Sequence, residues 1–288
     1  DHNAQRQTVV KLDKAKLLAY KPFPDAEKVV KDDDIVRIEV TAPDKVKYIT
    51  GENIDRAGGK IKVYYYNQKP EEIALDAEGV VLQRPDASHL WSPDCSAVPI
   101  TGQVGTYWIR VEYQNFADGF YIQVGQDEDD LTTKPIYKGM TAALGDKISI
   151  NYHIAVPTVM ANDPGLYMKF ILADGKETIV RRSDAAIGDD NVFAFEVSVA
   201  PKELTDKITA QLYNSVDGMV DVDKKEFTVK DYLQVICDKA KDDEDGLYAK
   251  AAPIAQALLN YGAAAQLHFE YNKKRNVKLT EIWTRVIS

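Results

Sequence analysis

Long hydrophobic runs and cysteines are both scarce in this sequence. The longest apolar candidate, residues 251–265, is interrupted by proline, glutamine, asparagine and glycine, whereas a helix that crosses a bilayer needs about 18 consecutive apolar residues. Only Cys95 and Cys237 are present, and two cysteines cannot form a disulfide framework. We therefore expect no membrane insertion, and a fold that depends on its hydrophobic core rather than on disulfide bonds.

Basic residues are outnumbered by acidic ones. The chain has 36 lysines and arginines against 45 aspartates and glutamates, which gives a formal net charge of −9. An acidic surface repels phosphate backbones and anionic lipids, so neither a nucleic acid nor a membrane surface is expected as a partner. The hydrophobic fraction, 45%, is too high for a disordered chain, and a length of 288 residues favours two domains.

The sequence motifs of common enzymes and metal sites are missing as well. There is no glycine-rich phosphate loop, no Gly-x-Ser-x-Gly element and no cysteine or histidine pair at metal-ligand spacing. His2, His89, His153 and His268 are scattered, which favours separate surface positions over a shared site. We therefore predict no catalytic residue, no metal ligand and no cofactor, and expect a protein that is not an enzyme.

Acidic clusters leave two alternatives open. Oxygen-rich turns at 217–223 and 242–246 would suit a structural calcium ion. An EF-hand loop with Gly246 at its sixth position, however, would place Lys241 first and Ala252 twelfth, where acidic ligands are needed. Carboxylates are also numerous enough for a glycosidase pair, but the distance between two of them in space cannot be read from the sequence.

Residues 35–126 carry the pattern of short β-strands. In the two longest, alternate residues are apolar, as a sheet with one buried face requires. Several short strands at this spacing predict a β-sandwich. The predicted strands cover 35–40, 61–66, 73–75, 80–82, 105–113 and 120–124. Residues 1–34 lack such a pattern and are interpreted as a lead-in segment.

A second domain is predicted at 132–279, after an acidic linker at 127–131 that is too highly charged to be buried. Asp174 and Gly175 suit the two positive-φ positions of a type I′ turn, which predicts a β-hairpin around them. The predicted strands cover 147–156, 166–173, 176–182, 192–199, 208–213 and 220–227. This second region is therefore also expected to form a sandwich.

Helices are predicted only near the carboxyl end. Thr228, followed by an acid at Asp231, resembles a capping box that starts the first helix. A second helix is predicted from about residue 247 to 271. Its predicted apolar face consists of Ile254, Ala255, Leu258, Leu259 and Ala265, and its predicted packing residues are Tyr261, Gly262 and Gln266.

The predicted fold class is mainly β with C-terminal helices. An immunoglobulin-like sandwich at 35–126 is followed by a second sandwich that carries two helices in an α+β arrangement. Residues 280–288 are interpreted as a tail or as the start of a further element.

Two stretches resemble known families. Residues 40–124 resemble the bacterial immunoglobulin-like repeats of the group 3 type, through "VTAPDKVKYITGENIDRAGGKIKVYYYNQKPEEIAL" and "GTYWIRVEYQNFADGFYIQV". Residues 84–101 depart from that family, since they are longer and richer in proline than the usual repeat. The segments "ITAQLYNS", "VKDYLQVI" and "ALLNYGAAAQLHFEYN" are similar to a module found at the C-termini of large secreted proteins of Gram-positive gut bacteria. The resemblances imply an extracellular or cell-wall-associated, modular protein with no established reaction.

Exposed aromatic residues are the candidate binding residues. In the run 64–66, Tyr65 lies on one face of its strand and the other two tyrosines on the opposite face, so one aromatic face lies outside the core. His89, Leu90 and Trp91 lie in the proline-rich stretch, where large rings on a stiff loop suit an interface.

We therefore expect a non-enzymatic adhesion protein that binds a host protein or glycan, such as a host glycoprotein or an immunoglobulin. The alternative is a carbohydrate-binding or spacer region of a larger secreted glycan-degrading enzyme.

Overall fold

The chain is mainly β, with two long helices near its carboxyl end, so the predicted fold class is confirmed. No helix among the described residues is both long and apolar enough to cross a membrane. The computed structural model describes residues 31–84, 100, 102, 104–144, 147–243 and 246–271.

In the described part of the chain, seven strands form the N-terminal sandwich. One sheet has the order β1-β3-β4 and the other β2-β7-β6-β5. All neighbours are antiparallel except β2 and β7, which run parallel. Apolar residues of both sheets form one core, with Tyr48, Ile61 and Ile109 fully buried. The strands are β1 (Ile35–Thr41), β2 (Lys47–Ile49), β3 (Lys60–Tyr65), β4 (Glu71–Ala74), β5 (Val81–Gln83), β6 (Gly105–Tyr113) and β7 (Phe116–Gly125).

Among the residues that the structure describes, nine further strands form the C-terminal sandwich around a separate core. One sheet has the order β12-β13-β9-β8, and the other β11-β10-β14-β15, with β16 also paired to β14. The strands are β8 (Ile136–Leu144), β9 (Ile148–Ala155), β10 (Tyr167–Ile171), β11 (Glu177–Arg181), β12 (Ala186–Ile187), β13 (Val192–Val199), β14 (Ile208–Asn214), β15 (Gly218–Val220) and β16 (Glu226–Phe227).

The α-helices within the described ranges are α1 (Glu128–Thr132), α2 (Thr158–Ala161), α3 (Val229–Lys239) and α4 (Leu247–His268). Thr228 caps the start of α3, because its hydroxyl accepts the N–H of Asp231 at 3.0 Å. Ala255 and Leu259 of α4 are buried, as predicted. Ile254 and Tyr261 are 53% and 59% exposed, so their predicted packing roles are wrong.

Most of the predicted acidic linker at 127–131 is helical, since α1 covers Glu128–Thr132. Asp127 caps it by accepting the N–H of Asp130 at 3.0 Å. Three acids then occupy the first turn, where the partial positive charge of the helix amino terminus stabilises them.

The predicted hairpin around Asp174 and Gly175 is confirmed, since β10 pairs with β11, but its turn type is different. Only Gly175 has a positive φ in this turn, and the Gly175 N–H donates to the carbonyl of Leu172 at 2.9 Å. This is a three-residue loop with glycine in the left-handed position. A two-residue turn with positive φ at both positions instead joins β6 to β7, at Gln114 and Asn115.

The two sandwiches are joined through the side chain of Asn162, which follows α2. Its amide oxygen accepts the N–H of Thr106 at 2.8 Å, and its amide nitrogen donates to the carbonyl of Thr106 at 3.2 Å. The Thr106 hydroxyl donates to the carbonyl of Val159 at 2.6 Å. A Cβ at Gly105 would lie 2.7 Å from the Asn162 amide, so this contact requires glycine. Asn162 therefore pairs with β6 as a neighbouring strand would.

The side chain of Gln123 in β7 is buried, and it differs from that of Asn162 in its hydrogen bonding. Ile122 and Val124 on either side belong to the N-terminal core, so Gln123 points to the other face of its sheet. Its side chain is fully buried, and neither amide atom has a hydrogen-bond partner in the described part of the chain. A buried amide without partners loses its hydration and gains nothing in return.

Replacing Gln123 with methionine is therefore expected to raise the free energy of unfolding by about 1 kcal/mol, because a side chain of similar length would fill the space without an unpaired polar group. Urea unfolding followed by circular dichroism would measure the change. The matched control is Gln126→Met, on an exposed glutamine just beyond the same strand, which should be neutral. A loss of stability in Gln123→Met alone would mean that the buried amide is satisfied.

Candidate functional site

A deep groove opens where the edge strand β8 meets α3 and the start of α4. It encloses about 900 Å³, which is in the size range of ligand-binding sites. Residues 137–141 of β8 form one wall, and α3 and α4 form the other. Lys207, strand β16 and the residues that flank β16 contribute the remainder. We call this feature the groove.

Local features of the sequence hold the walls of the groove in place. The pairing of β8 with β9 shifts by one residue between Tyr137 and Gly139, and this bulge lies in the groove wall. Gly139 has φ +126°, a conformation that a side chain would strain. On the opposite wall, Asp243 accepts the backbone N–H of Tyr248 at 2.8 Å and fixes the first turn of α4.

Three tyrosines line the groove. The ring of Tyr137 lies 4.9 Å from that of Tyr152, which is fully buried beneath it. The hydroxyl of Tyr232 on α3 accepts the backbone N–H of Ala142 at 3.3 Å. Burial raises the pKa of both Tyr137 and Tyr232, so these two hydroxyls stay protonated and can donate hydrogen bonds. The third, Tyr248, accepts a hydrogen bond from Lys239 at 3.1 Å.

Positive charge prevails in the groove although the chain as a whole is acidic. Two carboxylates, Glu226 and Asp231, are among the lining residues. One of them is already paired, because Lys207 lies 2.9 Å from Glu226. The lining lysines are Lys138, Lys207, Lys224 and Lys239. Four cations against two anions favour a ligand that carries negative charge.

Of the predicted binding residues, the structure describes only Tyr65. His89, Leu90 and Trp91 are outside the described residues. Tyr65 is half-buried, packs against the N-terminal core, and its hydroxyl donates to Glu71 at 2.9 Å. Tyr65 is thus on the core side of β3, and the exposed aromatic face is that of its two neighbours.

Tyr64 and Tyr66 differ in their surroundings. The Tyr64 hydroxyl donates to Glu39 at 2.6 Å, and the guanidinium of Arg37 lies 3.6 Å from the centre of the Tyr64 ring. The hydrogen bond from Tyr64, together with Arg37, lowers the pKa of Glu39. Tyr66 is 62% exposed. The aromatic run of β3 therefore presents one ring engaged by charged neighbours and one open to solvent.

Other residues singled out in the sequence have structural surroundings. Gln266 is buried and donates from its amide to the carbonyl of Lys202 at 3.0 Å and to the hydroxyl of Thr205 at 2.9 Å, which confirms its predicted packing role. The His153 ring nitrogen lies 2.8 Å from the Thr141 hydroxyl on the neighbouring strand, and burial lowers the pKa of His153. Cys237 is a free thiol whose pKa is raised by burial.

No family model matches this sequence. No curated protein matches it either. Among solved structures, the chain is similar to a DUF4785 family protein from Legionella pneumophila at 7% identity and a TM-score of 0.20, with 67% of this chain and 55% of that chain covered. The chain thus spans about half the length of that protein. At this TM-score the likeness assigns neither a fold nor a function.

Metal ligands do not cluster in the described part of the chain. Within it, no group of three or more histidine, cysteine, aspartate or glutamate side chains is placed to hold a metal ion. Asp221, in one of the two acidic turns considered for calcium, instead pairs with Lys225 at 2.7 Å and with Lys134 at 3.4 Å. These lysines lower the pKa of Asp221, so its charge is already compensated.

Proposed function

We propose that this chain is a non-enzymatic binding protein and that its ligand occupies the groove. The observation that carries the proposal is the groove itself, a concave site of about 900 Å³ walled by tyrosine rings and lysines. Tyrosine offers a large contact area at a small cost in side-chain entropy, and lysine supplies charge that selects the ligand. These residues suit recognition of a ligand that is held by contact and charge.

An extracellular or cell-wall location on a Gram-positive bacterium is part of the proposal. Its support is the resemblance of residues 40–124 and of the "ALLNYGAAAQLHFEYN" segment to modules of secreted proteins. On this proposal the ligand is a host protein or a host glycan, and the chain serves in attachment. Tyrosine rings in a groove also suit the flat faces of sugar rings, which favours a carbohydrate-binding module as the second candidate.

The decisive experiment fills the groove. Ala251 of α4 lines it, so Ala251→Trp should occupy space that a ligand needs. Ala257 is an exposed alanine of the same helix outside the groove, and Ala257→Trp is the matched control. The purified chain and both variants would be screened against a glycan array and against mucins, serum proteins and immunoglobulins. We expect a ligand whose binding is lost in Ala251→Trp and kept in Ala257→Trp.

Two other outcomes would overturn this assignment. Binding that survives Ala251→Trp but is lost in Trp91→Ala would place the site in the proline-rich stretch at 84–101. Folded protein that binds nothing on either panel would leave a spacer role for the chain.

A further inference from the structure

Among the described strands, β8 forms the outer edge of its sheet, and its residues 137–141 line the groove. It is the last strand in the order β12-β13-β9-β8. The N–H of Ala142 does not point to β9, since it donates to the Tyr232 hydroxyl on α3. In a regular antiparallel pair, the backbone N–H and C=O groups of one residue bond to the partner strand, and those of the next residue point away from it. The register is regular from Gly139 to Leu144, so the backbone N–H of Met140 points to the same free edge as that of Ala142.

At Met140 the free edge opens into the groove, and at Ala142 it meets the Tyr232 hydroxyl of α3. Met140 is a lining residue, and α3 stands on the opposite wall. A space bounded by a strand edge on one side and a helix on the other accepts an extended polypeptide, which joins the sheet through its own backbone. The register shift before Gly139 and the lysine at 138 disfavour extension of the pairing toward the amino end of β8.

Charge selects among extended polypeptides. Lys138 and Lys224 line the groove and are both exposed, with no ion pair to a carboxylate in the described part of the chain. The lining cations outnumber the lining anions four to two, while the whole chain carries −9. An acidic segment is therefore attracted to the groove, whereas a basic one would find two unpaired cations next to it.

We propose that the occupant of the groove is an acidic, extended polypeptide segment of a partner protein, which adds as a strand to the free edge of β8 at Met140 and Ala142. This inference rests on the proposed function and names the ligand class for the same site. The incoming backbone replaces the Tyr232 hydroxyl as the partner of the Ala142 N–H. At 3.3 Å that intramolecular bond is longer than most N–H···O hydrogen bonds, so a strand hydrogen bond can compete with it.

The probe for the test is a library of random 12-residue peptides displayed on phage and selected on the full chain, followed by synthesis of the dominant peptide. We expect enrichment of aspartate and glutamate, and slower hydrogen exchange of the Met140 and Ala142 amides in the complex. N-methylation of the peptide at alternate residues, on the edge that meets β8, should abolish binding because those N–H groups pair with the strand. N-methylation at the intervening residues is the matched control. It should be tolerated, because those N–H groups lie at the outer edge of the peptide.

Variants of the chain separate the contribution of the lysine charges from that of the Tyr232 hydroxyl. Lys138→Glu and Lys224→Glu should each weaken peptide binding about tenfold by calorimetry, because each replaces an attractive charge with a repulsive one. The matched charge control is Lys250→Glu, on an exposed lysine of α4 outside the groove, which should leave the affinity unchanged. Tyr232→Phe should strengthen peptide binding about threefold, because it removes the intramolecular competitor for the Ala142 N–H. A sugar held by the Tyr232 hydroxyl would instead lose affinity in this variant.

The failure of this inference can be told from the failure of the proposed function. A selected peptide that leaves the Met140 and Ala142 amides unprotected would overturn strand addition. If no peptide is selected, while a glycan binds and is lost in Ala251→Trp, the polypeptide ligand is wrong and the groove remains the site. If neither peptide nor glycan nor host-protein binding responds to Ala251→Trp, both proposals are wrong.

Discussion

Replacing Tyr152 with alanine should lower the free energy of unfolding by about 3–5 kcal/mol, the cost of removing a large aromatic side chain from a close-packed core. Tyr152 is fully buried in the C-terminal sandwich. Its ring centre lies 4.9 Å from that of Tyr137, 5.8 Å from that of Phe227 and 6.3 Å from that of Phe170. Alanine would leave a cavity bordered by all three rings.

The hydroxyl of Tyr152 adds a second contribution, because it donates to the backbone carbonyl of Lys224 in the groove wall. Tyr152→Phe keeps the ring contacts and should cost only about 1 kcal/mol, the typical net value of one hydrogen bond. Urea unfolding monitored by near-ultraviolet circular dichroism would compare the two variants. Equal losses would show that the hydroxyl rather than the packing is decisive. A loss below about 1 kcal/mol in Tyr152→Ala would contradict tight packing at this position.

Asp163→Ala is the second change with a large expected effect, a loss of about 3 kcal/mol. The Asp163 side chain is fully buried and accepts three hydrogen bonds, from the backbone N–H groups of Gly165 and Ser215 and from the Ser215 hydroxyl. A Cβ at Gly165 would lie 2.1 Å from the Ser215 hydroxyl oxygen, which shows how closely the two loops approach. Alanine would leave these three part-buried donors without their acceptor.

Graded variants would test this account of Asp163. Ser215→Ala removes a single donor and should cost about 1 kcal/mol, whereas Asp163→Asn keeps part of the acceptor set and should fall between the two. Asp174→Ala, at an exposed turn, is the control for removal of a carboxylate. Thermal unfolding by calorimetry would rank the four variants. Asp163→Ala with the stability of the control would mean that the loop at 162–166 is held by other contacts.

The strands that could be predicted are those whose two faces differ strongly. Residues 192–199 alternate phenylalanine and valine with smaller or polar residues, and the structure buries Phe193, Phe195, Val197 and Val199 as that pattern requires. β8 was not predicted, because Gly139 and two adjacent alanines give it little contrast between faces and its bulge shifts the alternation. Periodicity identifies an element only where burial differs between its faces.

The groove could not be predicted, because its walls come from segments far apart in the sequence. Tyr137, Tyr232 and Tyr248 are separated by 16 to 111 positions, and only the topology brings them together. Tyr232 follows the cap of α3, and Tyr248 lies in the first turn of α4. A tyrosine near the start of each helix is a signal that pattern analysis of single elements leaves unused. The run at 64–66 was easier to see, but the alternation did not show which of its two faces lies outside the core. The register of β3 turns Tyr65 toward the core.

The parallel pairing of β2 with β7 has a mechanical consequence. Val46 accepts the N–H of Gln123 at 2.9 Å, and Gly125 accepts the N–H of Thr50 at 3.0 Å, at opposite ends of this pairing. Tension that enters β2 from its amino side and leaves β7 at its carboxyl side pulls the two strands lengthwise in opposite directions. Their hydrogen bonds then resist in shear and share the load, instead of opening one after another as in a peeled hairpin. Under stretching, β2 and β7 would act as a clamp that yields in a single step.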